Sequence, residues 1–182
     1  NRAPGGNGIM FLESVAPDCV IGCNYSQQNL WKIDPNTGAI VDSPSMIARV
    51  TGEPMCAIGF EGNVYLGIYG SSLICHYDPN LPFEFAINPK ELIELGKPYQ
   101  QTRPRDTATD GTHVFMSSDS EYGYLGGALA VIDPASHEIR VHHHLIPDQN
   151  LPTLAYDPES KLLWGGTDRW GQMRSHPPSR ES

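Results

Sequence analysis

Long apolar runs, dense charge and recognisable catalytic motifs are all missing from this sequence. No stretch approaches the roughly 18 apolar residues of a membrane span, so no membrane-spanning helix is expected. Only 18% of the residues are charged, and the net charge of −9 argues against a nucleic-acid partner or an anionic membrane surface. The sequence also has no Gly-x-Ser-x-Gly elbow, no phosphate-binding loop and no EF-hand calcium loop.

Cysteines and histidines are present, but without the spacing of a metal site. Cys19 and Cys23 are too far apart for a C-x-x-C pair, and Cys56 and Cys75 stand alone. All four lie in apolar runs, which favours buried thiols. The run His142-His143-His144 falls on a predicted strand, where only the outer two share a side, so a solvated sheet edge is favoured over a metal site. We therefore predict no metal and no other cofactor.

Glycine and proline are abundant, and one turn containing proline recurs. The chain has 18 glycines and 16 prolines among 182 residues, as expected for many short strands joined by tight turns. The triplets Ile33-Asp34-Pro35, Tyr77-Asp78-Pro79 and Ile132-Asp133-Pro134 each follow a short apolar run, and their aspartates are 44 and 55 residues apart. A repeat of this length built from short strands predicts the blades of a β-propeller.

A second set of matches gives the phase of the repeat. An apolar segment stands on each side of the tight turns at Glu61-Gly62, Asp110-Gly111 and Asp157-Pro158. A weaker match to the same pattern precedes Val20. From Val20 to Val64, Val114 and Leu162 the steps are 44, 50 and 48 residues. Each unit is therefore predicted to have four strands, A to D, with the Asp-Pro turn between C and D.

The Asp-Pro turn separates the third strand of each unit from the fourth. Strand C is predicted at 29–33, 73–77 and 128–132, and strand D at 39–47, 91–95 and 138–146. In the turn at 34–38, proline presets φ, the aspartate bonds nearby backbone N–H groups, and Gly38 takes the left-handed conformation. Residues 89–92 could open a helical turn instead of a strand, and this alternative stays open.

The predicted fold class is all-β: one partial β-propeller over residues 1–182, with about three and a half four-stranded antiparallel blades. The blades are predicted at 8–50, 55–98 and 104–146, with strands A and B of a fourth from 152 and a polar tail at 171–182. Because propellers usually close with four to eight blades, the remaining blades would come from the parent protein, another chain or self-association. A four-bladed ring with a truncated last blade is the alternative.

The sequence resembles bacterial β-propellers of the broad seven-bladed, YVTN and quinoprotein-like type. The resemblance is carried by the Asp-Pro turns, by the runs Val64-Tyr65-Leu66-Gly67 and Leu163-Trp164-Gly165-Gly166-Thr167, and by the segment 126–134. It implies a scaffold shared by binding platforms, lactonases, dehydrogenases and polysaccharide lyases, so it leaves open whether the chain is an enzyme. It slightly favours a secreted or periplasmic protein, although the compartment stays undecided.

The loops at one end of the blades are predicted to carry the function. The B–C and D–A loops are longer and richer in polar and aromatic residues than the turns at the other end, and such loops on a rigid scaffold usually bind ligands. Arginine binds carboxylates and sulfates, and Tyr and Trp stack on sugar rings. We therefore predict a carbohydrate or other small polar ligand, bound by Tyr69, Gln101, Arg105, Asp119, Gln149, Asp168, Arg169 and Trp170.

A uronate lyase that acts by β-elimination is the enzymatic alternative. In that case Arg103 would neutralise the substrate carboxylate, and Tyr122 or Tyr124 would move the proton. A tyrosine has an unperturbed pKa of about 10, so it would need a cationic neighbour to act as a base. The structural alternative is that Arg103 or Arg105 pairs with an aspartate between blades and the aromatic residues cap the core.

Overall fold

The computed structural model describes residues 8–25, 30–42, 52–84 and 86–176, with the backbone alone at 41 and 42. These residues form short strands and one helical turn. In chain order they are β1 (Ile9–Ala16), β2 (Cys19–Asn24), β3 (Leu30–Ile33), β4 (Ile40–Asp42), β5 (Pro54–Phe60), β6 (Asn63–Ile68), β7 (Leu73–Tyr77), β8 (Lys90–Glu94), α1 (Gly96–Tyr99), β9 (Gln101–Thr109), β10 (Val114–Ser120), β11 (Ala128–Ile132), β12 (Ile139–His143), β13 (Asn150–Asp157) and β14 (Leu162–Asp168).

The strands form three four-stranded antiparallel sheets and one two-stranded sheet. Their orders are β1-β2-β3-β4, β5-β6-β7-β8, β9-β10-β11-β12 and β13-β14, so each strand pairs with its neighbours in sequence. This arrangement confirms the predicted fold class, an all-β propeller with about three and a half blades. No helix in the described part of the chain is long and apolar enough to cross a membrane.

The third strands match their predictions most closely. β7 and β11 have the predicted bounds, and β3 begins at Leu30, since residue 29 lies outside the described part of the chain. Among the fourth strands, β12 is shorter than predicted, and β8 has the predicted length but begins one residue earlier. Residues 43–50, into which the prediction for β4 extends, likewise fall outside the described residues. Lys90–Glu94 is a strand, so the alternative of a helical turn at 89–92 is wrong. The short helix α1 follows that strand instead.

The Asp-Pro turns have the hydrogen bonds that their composition predicts. Asp34 Oδ1 accepts from the backbone N–H of Asn36 at 2.8 Å, and its Oδ2 accepts from Thr37 Oγ1 at 2.7 Å. Asp133 repeats this arrangement in the third sheet, and Gly38 has the predicted positive φ of 72°. The side chain thus replaces the backbone partners that the chain loses where it reverses direction.

The first strands of successive sheets lie side by side, β1 against β5, β5 against β9 and β9 against β13. Partly buried carboxylates join two of these pairs. Glu13 Oε1 of β1 accepts from the backbone N–H of Gly59 at 2.8 Å, and Asp106 Oδ2 of β9 accepts from that of Leu154 at 2.8 Å. Burial raises the pKa of Glu13, although the hydrogen bond from Gly59 opposes the shift. These bonds fix the first sheet against the second and the third against the fourth.

The core consists of three apolar clusters, each between two neighbouring sheets. The first joins sheets one and two through side chains such as Ile21 and Leu66, and the second joins sheets two and three through Tyr65 and Met116. The third, between sheets three and four, is smaller and centres on Leu129 and Leu154. The cysteines lie in buried strand positions, as predicted: Cys19, Cys23, Cys56 and Cys75.

Gly67 of β6 offers a test of this sheet-to-sheet packing. A Cβ at this position would overlap Pro104 and lie 2.7 Å from Cys56 Sγ. We expect Gly67→Ala to lower the free energy of unfolding by about 1–3 kcal/mol, because an added methyl group overpacks the interface. Urea denaturation measures the change, with Gly8→Ala as control because no atom of the described residues beyond its chain neighbours lies within 4 Å of its added Cβ. Equal stability of Gly67→Ala and the wild type would contradict the packing.

Candidate functional site

One end of the sheets carries the longer loops, and we call it the loop face. It comprises residues 69–72, 95–100, 121–127, 144–149 and 169–176, which follow the second or fourth strands of the second, third and fourth sheets. The predicted site residues lie in these loops or near the strand ends next to them, except Arg105, which is in the middle of β9. Gln101, Arg103, Arg105 and Asp119 were predicted to be in loops, but they belong to β9 and β10, which extend further than the apolar pattern indicated.

Arg103 lies between two tyrosines from different sheets, and we call Tyr69, Arg103 and Tyr122 the arginine–tyrosine cluster. Arg103 Nη2 donates a hydrogen bond to the Tyr122 hydroxyl at 3.0 Å, and the hydroxyl oxygens of Tyr69 and Tyr122 are 2.7 Å apart. The guanidinium carbon lies 4.7 Å from the centre of the Tyr69 ring, within the range of a cation–π contact. Three predicted site residues are therefore in direct contact.

The hydrogen bonds in this cluster change the acidity of its members. Hydrogen bonds from Tyr69 and from Arg103 lower the pKa of Tyr122. The pKa of Tyr69 is raised, chiefly because its hydroxyl is bonded to Tyr122. Tyr122 is therefore the tyrosine of the pair that loses its proton more readily, and Arg103 is the cationic neighbour that such a loss requires.

A second group, the Asp119 cluster, lies beside the first and comprises Arg105, Asp119 and Gln172. Arg105 Nε is 3.3 Å from Asp119 Oδ2, and Gln172 Nε2 donates to the same oxygen at 2.7 Å. The side chain of Asp119 is 3% exposed and that of Arg105 is 36% exposed. Burial raises the pKa of Asp119 to about 6; the charge of Arg105 opposes the shift, and that of Asp168 adds to it.

The register of the third sheet brings the two clusters together. Arg103 on β9 and Asp119 on β10 are directly opposite, and irregularities in the pairing flank Asp119 on both sides. Such bulges redirect side chains at the end of a strand. The bulge that precedes Asp119 adjoins Pro104, which pairs with Ser118 but has no N–H group to donate to the ladder.

Two buried polar atoms at this site have no hydrogen-bond partner among the described residues: Arg103 Nε and Asp119 Oδ1. Buried donors and acceptors are almost always paired in native structures, and an unpaired one calls for an explanation. One is a cationic donor and the other an acceptor of a titratable carboxyl group, so burial leaves one unpaired group of each kind at this strand end.

Gln101 and Gln149 are bonded within the fold. Gln101 is fully buried, its amide donates to Gly126 O at 3.0 Å, and its carbonyl oxygen accepts from Ser118 Oγ at 2.8 Å. Gln149 Oε1 accepts from Thr167 Oγ1 at 2.6 Å. Gln101 therefore orders the strand end beneath the site and offers no surface to a ligand.

The loop at 169–176 lies across the neighbouring loop at 121–127. Gly123 N donates to Met173 O at 3.0 Å, and Ser175 Oγ donates to Tyr124 O at 2.6 Å. This packing places Gln172 on Asp119. The contact was not predicted, although the loop was identified as one of those rich in polar and aromatic residues. The hydroxyl of Tyr124 makes no hydrogen bond to the arginine–tyrosine cluster within the described structure.

The remaining predicted residues, Asp168, Arg169 and Trp170, form a rim beside the Asp119 cluster. Trp170 is 66% exposed, and the guanidinium carbon of Arg169 is 4.8 Å from its ring centre. Asp168 Oδ1 accepts from the backbone N–H of Trp170 at 3.0 Å. In the described ranges, no three or more His, Cys, Asp and Glu side chains converge as metal ligands would.

Known proteins resemble this chain in structure but not in sequence. No protein-family model matches the chain, and neither does any curated protein. A chain of the nidogen–laminin complex superposes with a TM-score of 0.62 at 12% identity, over 86% of this chain and 56% of that one. The extracellular domain of BT4673 from B. thetaiotaomicron gives a TM-score of 0.59 at 15% identity, over 94% and 22%.

The third similar structure is described as a propeller. The β-propeller domain of Cps50 (Swd1) from Myceliophteria thermophila gives a TM-score of 0.53 at 12% identity, over 86% of this chain and 48% of that one. This chain thus spans between 22% and 56% of the length of these three neighbours. At such identities the similarity is one of fold, and it agrees with the sheets described above: the chain is a β-propeller module.

The buried carboxyl of Asp119 predicts a pH dependence of stability. Its pKa is raised from 3.8 to about 6, so the folded state binds this proton more tightly than the unfolded state does. The stability that this group contributes is therefore full below pH 4 and is lost as the pH rises through about 6, by at most about 3 kcal/mol. We expect Asp119→Asn to remove this slope, measured by urea denaturation from pH 4 to pH 7.5.

The matched control for this experiment is Asp148→Asn. Asp148 is exposed and has a φ of 59°, a conformation that asparagine tolerates. Its curve should keep the slope of the wild type. If the curves of Asp119→Asn and the wild type are parallel over the whole range, the carboxyl is not shifted as described.

Proposed function

We propose that the loop face binds a small hydroxylated ligand with a carboxylate or sulfate group, and that acidic carbohydrates are its ligand class. The observation that carries this proposal is the position of Arg103, a partly exposed arginine that is held between Tyr69 and Tyr122 and donates one hydrogen bond, to Tyr122. A guanidinium group with unused donors is suited to a planar anion, because two parallel N–H groups match two oxygens.

The local charge favours an anion even though the whole chain is acidic. The net charge is −9, so attraction to an anion must come from local groups and not from the charge of the whole chain. Arg103 and Arg105 lie two positions apart on β9, and Asp119 is the carboxylate next to them. Because burial raises the pKa of Asp119 to about 6, the two arginines lose part of their counter-charge as the pH falls through 6.

The aromatic residues support a sugar rather than a simple inorganic anion. Tyr69 and Tyr122 are partly exposed beside Arg103, and Trp170 is exposed at the rim. Aromatic rings pack against the apolar faces of sugars and also carry one polar group. Of the predicted binding residues, the proposed site therefore keeps Tyr69, Arg105, Asp119 and the rim formed by Asp168, Arg169 and Trp170, and it omits Gln101 and Gln149.

The site is part of a larger ring in this proposal. Arg103 and Arg105 lie on the innermost strand of their sheet, and further blades would close the ring around them. We propose that residues 1–182 belong to one propeller of the seven-bladed, YVTN-like type. Its remaining blades come from the parent protein, another chain or a second copy.

Binding of a short acidic oligosaccharide tests the proposal. We expect trigalacturonate to bind the chain and neutral galactotriose to bind at least tenfold more weakly, as measured by titration calorimetry at low salt. Arg103→Lys should weaken trigalacturonate binding by about 10- to 100-fold, because loss of a charge-assisted hydrogen bond costs about 1.5–3 kcal/mol. Arg140→Lys is the matched control, because Arg140 lies on the outer strand β12 and its side chain is 77% exposed.

Equal affinity for the acidic and neutral sugars would contradict the proposed ligand class. Binding that Arg103→Lys and Arg140→Lys weaken equally would contradict the proposed site. The affinity of the wild type for trigalacturonate should also rise as the pH falls from 7 to 5, since protonation of Asp119 leaves more uncompensated positive charge.

Lyase activity is a second candidate function, favoured by the lowered pKa of Tyr122. In β-elimination, the Tyr122 phenolate would take the proton from C5 of a uronate whose carboxylate is bound by Arg103. The electron pair of the C–H bond would form the C4–C5 double bond, the C4–O bond would break, and the departing oxygen would take up a proton. The products are an unsaturated uronate and a free sugar hydroxyl.

We expect this activity, if present, to appear as the ultraviolet absorbance of the unsaturated product from polygalacturonate. Tyr122→Phe should abolish the activity, because it removes the hydroxyl bonded to Arg103, whereas Tyr124→Phe should leave it unchanged. Trigalacturonate that binds without forming unsaturated product would contradict the enzymatic alternative and support a binding module.

A further inference from the structure

We propose that His76 and His137, which we call the histidine pair, bind one divalent transition-metal ion such as Zn²⁺ between the second and third sheets. His76 lies on β7, and His137 lies in the Asp-Pro turn between β11 and β12, at the end of the sheets opposite the loop face. The site is therefore separate from the arginine–tyrosine cluster, and it does not depend on which ligand the loop face binds.

The two imidazole rings lie next to each other, although they belong to different sheets. Their centres are 4.8 Å apart, and their planes are inclined to each other at 44°. Two imidazoles that share one tetrahedral Zn²⁺ through nitrogens at about 2.0–2.1 Å have ring centres roughly 5 Å apart. The separation of the histidine pair is thus the one that a shared metal ion needs.

Tyr65 of β6 holds both rings in place. The centre of its ring is 5.3 Å from that of His76 and 6.4 Å from that of His137, both in edge-to-face contacts. Tyr65 is 1% exposed and belongs to the apolar cluster between sheets two and three. Because packing already positions the two rings, little conformational freedom remains to be lost when a metal ion binds.

The ring nitrogens of the histidine pair have no hydrogen-bond partner among the described residues. Other histidine rings of the protein do have one: His113 Nδ1 is 3.2 Å from Asp110 Oδ2, and His143 Nε2 is 3.3 Å from Gln101 Nε2. Both rings of the pair are partly exposed, so an ion can reach them from solvent. Their lone pairs are therefore free to coordinate a metal.

The backbone at His137 supports the proposal independently of the rings. Its φ is 59°, in the left-handed region that residues other than glycine seldom adopt. The equivalent position of the first Asp-Pro turn is Gly38, with a φ of 72° and the same backbone hydrogen bond to the turn aspartate. Residues in such conformations cluster at functional sites. A histidine at this position supplies the second imidazole, which glycine cannot.

The ligand atoms indicate the class of metal. Imidazole nitrogens suit Zn²⁺, Cu²⁺ and Ni²⁺, whereas Mg²⁺ and Ca²⁺ prefer oxygen. The charges of Asp78 and Lys90 act on His76 with opposite signs, so the site has no excess of negative charge to draw a hard cation. Since no three His, Cys, Asp and Glu side chains converge in the described part of the chain, water molecules complete the coordination.

The expectation of no metal rested on spacing along the sequence. His76 and His137 are 61 residues apart, and neither belongs to a motif with ligand spacing. Only the packing of the second sheet against the third brings them together, so no local pattern could reveal the pair.

Titration of the whole chain with Zn²⁺ tests the proposal, with each histidine ring followed separately by NMR. We expect the signals of His76 and His137 to shift together on one saturable curve, and Mg²⁺ at the same concentrations to leave both unchanged. Zn²⁺ should also raise the urea midpoint of unfolding, because an ion that binds only the folded state stabilises it.

One variant and a matched control complete the test. His137→Gly should fold, because Gly38 has the equivalent position in the first turn, and it should weaken Zn²⁺ binding read at His76 by about tenfold or more. His142→Gln, which changes an exposed histidine of β12, should keep the affinity of the wild type. Equal affinities of His137→Gly and the wild type would overturn the proposal, and so would a shift of His76 without one of His137.

Discussion

Each sheet of this protein needs a neighbouring sheet on both sides, because its side chains are apolar on both faces. The second sheet shows this most clearly. Val64 and Leu66 of β6 pack toward the first sheet, while Tyr65, between them in sequence, packs toward the third. No single sheet can bury both faces alone, so the stability of the fold depends on the contacts between sheets.

The polar groups between the sheets also hold neighbouring sheets together. Glu13 and Asp106 hold the backbone of the following sheet, and the hydroxyl of Thr107 donates to Ala57 O of the preceding one at 3.1 Å. The candidate site lies where such cross-sheet contacts reach the loop face. Tyr69 of one sheet and Tyr122 of the next meet over Arg103, so the geometry of the site depends on the distance between the sheets.

The sequence predicted the features that local chemistry determines. The Asp-Pro turns placed the third strands because a turn aspartate bonds the backbone two residues on, whatever the surroundings. The short helix α1 was missed because its four residues include glycine and proline, which give no helical pattern. Arg103 and Tyr122 were identified as site residues from their chemistry, but their contact with Tyr69 depends on the packing of two sheets and has no local signal. Gln101 was expected to bind ligand because it is polar. In the structure it is buried, and no local sequence pattern indicates this burial.

Arginine side-chain NMR tests the central claim most directly, since the Nε–Hε groups of Arg103 and Arg140 can be followed separately during titration with trigalacturonate. Nε of Arg103 is buried without a partner among the described residues, whereas the side chain of Arg140 is solvent-exposed. The account predicts a saturable shift of the Arg103 resonance and an unchanged Arg140 resonance. An unchanged Arg103 resonance, or equal shifts of both arginines, would contradict a ligand site on the loop face.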